Sequence, residues 1–286
     1  DEDLVLDVRL NTLNEYVDFF IIVESNFTHK GDARKLKFDI KKFSKFKNKI
    51  IYLVYDQQPT DLYKFYEDDD PAKISTKHIF NASKRENGQR NFISNGLSTA
   101  SDNDIVMISD IDEIPDLSEV NFFNTNEKIS MFRQQMFYYK FNLYLPNLIW
   151  TGTKACKKKD LQSPQWLRNV KDRKFPFYRI DTLFSENKYS SVKFIENGGW
   201  HFTNMKSPSE IEYKLKSYLH HREFDENPLS TTKIKQIMDN KRAIYNLRVD
   251  QQKNKFGNGD KLQKLSIDKL PKYINENKDL FRDWLD

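Results

Sequence analysis

Apolar residues occur along this chain either as short continuous runs or at helical spacing, and the two patterns predict different elements. The runs at 17–24, 49–55 and 104–109 predict short strands buried on both faces, as in a parallel sheet. Leucines and valines spaced among charges at 3–15 predict an amphipathic helix, and the polar segment 74–100 is expected to be largely helical. Strands alternating with helices predict an α/β sheet covered on both sides.

Beyond Pro115 the segments become longer and richer in aromatic residues. The stretches 129–141 and 148–156 predict two antiparallel neighbouring strands. Ser207 and Glu210 have the spacing of a capping box, which predicts the start of a helix. The helices predicted in this half cover 207–220, 231–247 and 269–285.

The most informative segment is 105–115, in which an apolar strand ends in Asp110-Ile-Asp112 and Pro115 follows. Ligands of open α/β sheets bind at the carboxyl ends of strands, so we expect both carboxylates at that edge. Such a pair suits Mg²⁺ or Mn²⁺, whose remaining positions water and phosphate oxygens fill. Asp-x-Asp also occurs at three other places, where no apolar strand leads directly into it, and there we expect solvated loops.

Three further segments carry polar groups that could serve a site. Residues 23–31 follow the first predicted strand and could hydrogen-bond a base or a ribose. After paired glycines, Trp200 offers a face for a sugar ring and His201 a possible ligand, with a buried structural histidine as the alternative. Arg90 lies one helical turn after Glu86, so a plain helix ion pair and a diphosphate contact both remain open.

Composition and charge exclude several classes. The 47 basic and 42 acidic residues leave a net charge of +5, and acidic clusters interrupt the basic groups, so nucleic acid is not an expected partner. The one cysteine excludes an internal disulfide and a cysteine-clustered zinc site. The eight glycines form neither a Rossmann fingerprint nor a Walker loop. No apolar run could span a bilayer and no secretion signal is visible, so we expect a cytoplasmic, soluble enzyme of bacterial or viral type.

Several uncommon strings, in this order, resemble glycosyltransferase family 17. They include Leu-Asp-Val-Arg-Leu at 6–10, Val-Glu-Ser-Asn-Phe-Thr at 23–28, Asp-Ile-Asp-Glu-Ile-Pro at 110–115 and Gly-Trp-His at 199–201, and the resemblance spans residues 3–215. It implies a nucleotide-diphosphosugar fold of the GT-A type with a mainly parallel central sheet flanked by helices. It also implies a divalent cation and inverting transfer of N-acetylglucosamine from UDP-GlcNAc to a glycan hydroxyl.

The resemblance also implies roles for individual residues. Asp110 and Asp112 match the metal-binding motif, and His201 becomes a third metal ligand by analogy with other GT-A enzymes. The residues expected to bind the nucleotide sugar are Glu24, Ser25, Thr28, Arg90, Asp110 and Trp200. Asp112 is expected to take part in catalysis through the cation, and Glu113 is the nearest candidate for the base that deprotonates the acceptor.

We expect one domain over residues 1–286, with 1–125 binding the donor and 126–286 forming the acceptor side and the C-terminal helices. Two alternatives to a transferase remain open from the sequence. The same carboxylates could activate water in a metal-dependent nucleotide-sugar phosphohydrolase. Aromatic clefts such as those of Phe-Tyr-Tyr at 137–139 and of Trp200 could instead serve a carbohydrate-binding protein without catalysis. The acceptor glycan and the oligomeric state are not predicted.

Overall fold

The computed structural model places the chain in a mixed α/β fold. It describes residues 2–122, 126–176, 178–182, 184–217, 224, 228–245, 257 and 259–286. Helices within these ranges are α1 (Asp3–Leu13), α2 (Pro71–Asn91), α3 (Pro164–Asn169), α4 (Pro208–Ser217), α5 (Thr231–Asp239) and α6 (Lys272–Glu276). None of the helices in the described ranges combines the length and apolar composition needed to cross a bilayer.

The strands of the described residues form two sheets. They are β1 (Phe20–Ser25), β2 (Ile50–Tyr55), β3 (Ile105–Ile108), β4 (Glu113–Pro115), β5 (Ile129–Tyr138), β6 (Leu143–Lys157), β7 (Val192–Ile195), β8 (Gly199–Thr203) and β9 (Gln263–Lys264). In the smaller sheet β1 and β2 run parallel, with Phe20 opposite Ile50. The larger sheet has seven strands in the order β3-β6-β5-β8-β4, with β7 added beside β5 and β9 beside β6.

The larger sheet is mixed, which corrects the expectation of a mainly parallel sheet. The pairs β3–β6, β5–β6, β4–β8 and β6–β9 are antiparallel, whereas β5–β7 and β5–β8 are parallel. An apolar run predicts that a strand is buried, but it does not specify the direction of the neighbouring strand. The predicted antiparallel pair in the second half is confirmed, because β5 and β6 form a ladder from Ile129 opposite Cys156 to Phe137 opposite Tyr144.

The helix starts were predicted better than the helix ends. The amide and hydroxyl of Ser207 donate to the Glu210 carboxylate at 2.9 and 2.7 Å, which confirms the capping box ahead of α4. The predicted end of α4 lies outside the described residues. Helix α5 stops at Asp239, well before residue 247, and Lys241 then adopts a left-handed backbone with φ of 49°.

The helix predicted over 269–285 is wrong in its length. The structure has only α6 and, further on, a 3₁₀ turn at Arg282–Trp284. The side-chain amide of Asn277 donates to the carbonyl of Tyr273 at 2.8 Å, so it competes with the backbone hydrogen bond of a continuing helix.

The packing of two helices fixes the segment between β3 and β4. Helix α1 buries Leu10 in a cluster that also contains Ile114 of β4 and Phe202 of β8. Helix α3 buries Leu167 in a second cluster with Ile108 of β3. Burial of an aliphatic side chain of this size contributes about 1.5–3 kcal/mol. The turn that carries Asp110 and Asp112 is therefore held between two hydrophobic clusters.

Candidate functional site

The acidic turn lies between β3 and β4 and is closed by hydrogen bonds from both directions. The amide of Glu113 donates to the carbonyl of Asp110 at 3.1 Å, and the amide of Asp110 donates to Glu113 Oε2 at 3.0 Å. Asp110 and Asp112 follow the carboxyl end of β3, as the sequence predicts. The side chain of Glu113 instead points into the protein and is fully buried.

Both oxygens of the Glu113 carboxylate accept hydrogen bonds from partly buried donors. Arg168 of α3 donates to it from both ends of the guanidinium, at 2.7 Å to Oε2 and 2.9 Å to Oε1. Trp150 Nε1 donates to Oε1 at 2.7 Å. A base must reach the acceptor hydroxyl, whereas this carboxylate has neither exposure nor a free position. The geometry therefore does not suit the base role expected of Glu113.

Asp110 faces two arginines and the solvent. Its Oδ1 accepts from Arg90 at 3.0 Å and its Oδ2 accepts from Arg168 at 3.1 Å, while 42% of its side chain remains exposed. Burial alone would raise the pKa of Asp110, but Arg168 and Arg90 lower it below its ordinary value. Arg90 also donates to Glu86 at 2.9 Å and to Gln165, so the predicted helix ion pair exists beside the contact with Asp110.

A third arginine reaches the turn from α1. Arg9 donates to the carbonyl of Glu113, and its second terminal nitrogen donates to Ser109 Oγ at 3.0 Å. Ser109 Oγ also accepts from Thr153 of β6 at 2.9 Å. Burial lowers the pKa of Arg9 to about 10, although the nearby carboxylates oppose this, so the guanidinium stays charged near neutral pH.

Asp112 forms a pair with His201 of β8. Asp112 Oδ1 lies 3.4 Å from His201 Nε2, and both side chains are largely buried. Burial opposes both charges, but the attraction between the two groups lowers the pKa of Asp112 and raises that of His201. The imidazole packs against Trp150 with ring centroids 5.3 Å apart, and its buried Nδ1 has no hydrogen-bond partner among the residues that the structure describes.

The Asp112–His201 pair offers a divalent cation two ligands. The carboxylate oxygen suits both Mn²⁺ and Mg²⁺, whereas an imidazole nitrogen suits Mg²⁺ less well because that ion prefers oxygen ligands; water and phosphate oxygens would complete the shell. Asp110 lies beside this pair, but its oxygens accept from arginines. Within the described ranges, no group of three His, Cys, Asp or Glu side chains is arranged to hold a metal ion. Asp112 and His201 thus supply two possible ligand atoms, while the oxygens of Asp110 are engaged by Arg90 and Arg168.

The polar residues that follow β1 brace their own loop. Glu24 accepts four hydrogen bonds, from Lys37 N at 2.8 Å, Phe38 N at 3.0 Å, Arg34 Nη2 at 2.8 Å and Tyr52 Oη at 2.9 Å. Burial opposes its charge, yet these donors lower the pKa of Glu24 below its ordinary value. This carboxylate therefore holds the loop at 26–38 in place.

Ser25 and Thr28 have similar local roles. Ser25 Oγ accepts from the amide of Phe27 at 3.2 Å, and Thr28 Oγ1 accepts from the amides of Gly31 and Asp32, both at 3.2 Å. The loop borders the acidic turn, because the charges of Glu86, Arg90 and Asp110 act on His29. Burial is the largest influence there and lowers the pKa of His29.

Trp200 does not join the acidic turn. Successive residues of a strand point to opposite faces, so Trp200 and His201 diverge. Trp200 packs against the cluster that contains Leu10, and its Nε1 donates to the carbonyl of Lys269 at 2.9 Å. The predicted stacking of a sugar on Trp200 beside the metal motif does not match this geometry.

The sequence motifs did not identify three residues of the site: Arg9, Arg168 and Trp150. Arg9 lies in one of the strings that carry the resemblance, and Arg168 lies in a basic group that we read only as charge. The site draws on both parts of the chain, because Asp112 lies before residue 125 and His201 lies after it.

Comparisons with known proteins agree with the sequence resemblance. The family model described as Glycosyltransferase family 17 matches residues 1–285. Two curated proteins, from Homo sapiens and Rattus norvegicus, are both called beta-1,4-mannosyl-glycoprotein 4-beta-N-acetylglucosaminyltransferase. Each is 25% identical over 228 residues, which is 74% of this chain and 40% of the relative. This chain thus corresponds to less than half the length of those relatives. No solved structure matches it.

Proposed function

This chain belongs to glycosyltransferase family 17, and from that membership we propose that it transfers a sugar from a nucleotide-diphosphate donor to a hydroxyl of a glycan. The observation that carries the proposal is the Asp112–His201 pair at the carboxyl end of β3, bordered by Arg90 and Asp110. Carboxylate and imidazole can hold a cation there, and Arg90 supplies positive charge beside it for phosphate oxygens.

We further propose that the donor is UDP-GlcNAc and that the fold is a variant of the GT-A type. The support for the donor is the name of the two relatives, which are N-acetylglucosaminyltransferases at 25% identity. The support for the fold type is the parallel pair β1–β2 together with an acidic motif at the end of β3. The acceptor class is a glycan, and its linkage is not part of the proposal.

The proposed cofactor is Mn²⁺ or Mg²⁺, held by Asp112 and His201. When bound, the cation neutralises the negative charge that develops on the departing nucleoside diphosphate. Asp112 would contribute a carboxylate oxygen, and His201 an imidazole nitrogen that binds a metal only after it has lost its proton. Asp110 aligns Arg90 through the 3.0 Å contact, so that the guanidinium is oriented before the donor arrives.

The proposed reaction is one inverting displacement. The acceptor hydroxyl attacks the anomeric carbon, the bond from that carbon to the phosphate oxygen breaks, and the nucleoside diphosphate leaves. The hydroxyl proton passes to a base other than Glu113, because the buried Glu113 carboxylate is committed to Arg168 and Trp150.

Thermal denaturation with UDP-GlcNAc, with and without Mn²⁺, tests the proposal. A ligand at 100 times its Kd stabilises the native state by about 2.7 kcal/mol, which for a chain of this size raises Tm by about 4–5 °C. We expect this shift only when both are present, and we expect Asp112→Asn to abolish it. Asp279→Asn, at an exposed site, is the matched control. A full shift in Asp112→Asn would refute the assignment of the cation to this pair.

Two other functions, a nucleotide-sugar phosphohydrolase and a carbohydrate-binding protein without catalysis, can be distinguished from a transferase by experiment. Rapid hydrolysis of UDP-GlcNAc without acceptor would favour the phosphohydrolase. Phe137, Tyr138 and Tyr139 are buried in the core and offer no face to a sugar, so a carbohydrate-binding protein without catalysis would have to use Trp200, and binding of a glycan without metal or donor would favour that alternative.

A further inference from the structure

Arg168 is a largely buried arginine to which neither the sequence nor the comparisons assign a role. We propose that Arg168 is a positioning residue that sets the relative placement of Asp112 and His201, and thereby the affinity of this pair for a divalent cation. The inference rests on the proposed function, since it concerns the cation site named there. It adds a residue from α3 that does not itself touch the cation or the substrate.

Both terminal nitrogens of the Arg168 guanidinium are engaged by acceptors of the protein. Its Nη1 donates to Glu113 Oε2 and to the carbonyl of Gly152, both at 2.7 Å. Its Nη2 donates to Asp110 Oδ2 at 3.1 Å and to Glu113 Oε1 at 2.9 Å. Four terminal N–H groups thus have four acceptors, and only 12% of the side chain is exposed. No N–H group on the two terminal nitrogens of Arg168 is left for a phosphate of the nucleotide sugar.

Glu113, which Arg168 binds, is linked to the proposed cation site through the backbone pairing of β4 with β8. Glu113 of β4 is paired with His201 of β8 in the antiparallel ladder. Next to this pair, the amide of Phe202 donates to the carbonyl of Asp112 at 2.8 Å. Because Arg168 fixes Glu113 within β4, it fixes the ladder that brings Asp112 and His201 to 3.4 Å from each other.

Arg168 is itself held rigidly. The buried Nζ of Lys154 donates to the carbonyls of Arg168 and Val170, both at 2.6 Å, at the end of α3. Gly152, which accepts from Arg168, has no space for a side chain, because a Cβ there would lie 1.9 Å from Gln134 Oε1. The end of α3 and the acceptor carbonyl of Gly152 are therefore both fixed, and together they restrict where the guanidinium can lie.

Stability alone does not account for this arrangement. A buried ion pair can often be replaced by apolar side chains of similar size without loss of stability. An apolar pair could not, however, accept the amide of Asp110 or bind its carboxylate, as Glu113 and Arg168 do. The network is thus directed at the acidic turn, which a packing role would not require.

Isothermal titration with Mn²⁺ alone tests the inference on the whole chain. The double variant Arg168→Met with Glu113→Leu removes both members of the ion pair, so that neither buried charge is left without the other. Arg168→Lys keeps the positive charge but cannot donate to both oxygens of Glu113 at once. Arg282→Met, at an exposed ion pair, is the control. We expect Kd for Mn²⁺ to rise at least tenfold in the double variant and severalfold in Arg168→Lys, with the control unchanged.

The possible results separate the inference from the proposed function. If the unaltered chain binds Mn²⁺ and the folded double variant binds it within twofold, Arg168 is only structural and the inference fails while the proposed function stands. If the double variant does not fold, an unchanged Kd in Arg168→Lys overturns the inference in the same way. If the unaltered chain binds no Mn²⁺, the proposed cation site and this inference fall together.

Discussion

Replacement of Glu24 by glutamine should weaken the fold measurably, although the two side chains have nearly the same shape. Each carboxylate oxygen of Glu24 accepts two hydrogen bonds: Oε1 from Arg34 and Lys37, and Oε2 from Phe38 and Tyr52. Glutamine keeps one acceptor oxygen and turns the other position into a donor, so two of the four donors lose their partner.

The magnitude follows from the contacts that are lost. A hydrogen bond to a charged group contributes about 1.5–3 kcal/mol, but Arg34 is partly exposed and the Tyr52 hydroxyl can reorient. We therefore expect Glu24→Gln to lower the free energy of unfolding by about 2–3 kcal/mol. With an unfolding entropy of roughly 0.6 kcal/mol/K for a chain of this size, Tm should fall by about 3–5 °C.

The assay is thermal unfolding as a function of pH, with Glu276→Gln as an exposed control. The pKa of Glu24 is lowered from its ordinary value of 4.5, so the folded state binds fewer protons than the unfolded state in the acid range. The contribution of Glu24 is therefore complete above pH 4.5 and is lost as the pH falls through the lowered pKa. A variant within 1 °C of the unaltered chain at pH 7, or a difference that grows on acidification, would refute this reasoning.

Two further predictions concern side chains away from the acidic turn. Burial raises the pKa of the Cys156 thiol to about 12, so a thiol reagent at pH 8 should label it only after denaturation, and rapid labelling of the native protein would contradict its placement. Trp200→Phe should lower stability by about 1 kcal/mol through loss of the bond to Lys269, while the response of Tm to UDP-GlcNAc and Mn²⁺ stays as in the unaltered chain. A lost response would place Trp200 at the donor after all.

The sequence predicted the elements better than their partners. The runs that become β1, β2 and β3 are visible because strands of this kind are continuously apolar. The ladder between β3 and β6 is not visible, since Ile105 pairs with Lys157 far along the chain and no local pattern encodes that choice. The overlong C-terminal helix has a different cause, because the competing bond from Asn277 to Tyr273 is local and helical periodicity does not register it.

In the candidate site, too, local sequence information identified some residues and not those that come from distant parts of the chain. Asp110 and Asp112 could be located because a strand precedes them and Pro115 follows, which is local information. The inward rotation of Glu113 depends on Arg168, which lies 55 positions away, and the anchoring of the turn by Arg9 depends on a separation of 104. A motif read along the chain therefore gave the carboxylates but not the guanidinium groups that surround them.

Those separations also bear on how the protein reaches its native state. Asp110, Asp112 and Glu113 lie within four positions of the chain, whereas the positive groups beside them come from α1, α2, α3 and β8. Until these elements have docked, three neighbouring carboxylates repel one another. Long-range closure of this kind is slow compared with local folding. The acidic turn should thus be among the last parts of the molecule to acquire its final form, and a nascent chain should not bind its ligands prematurely.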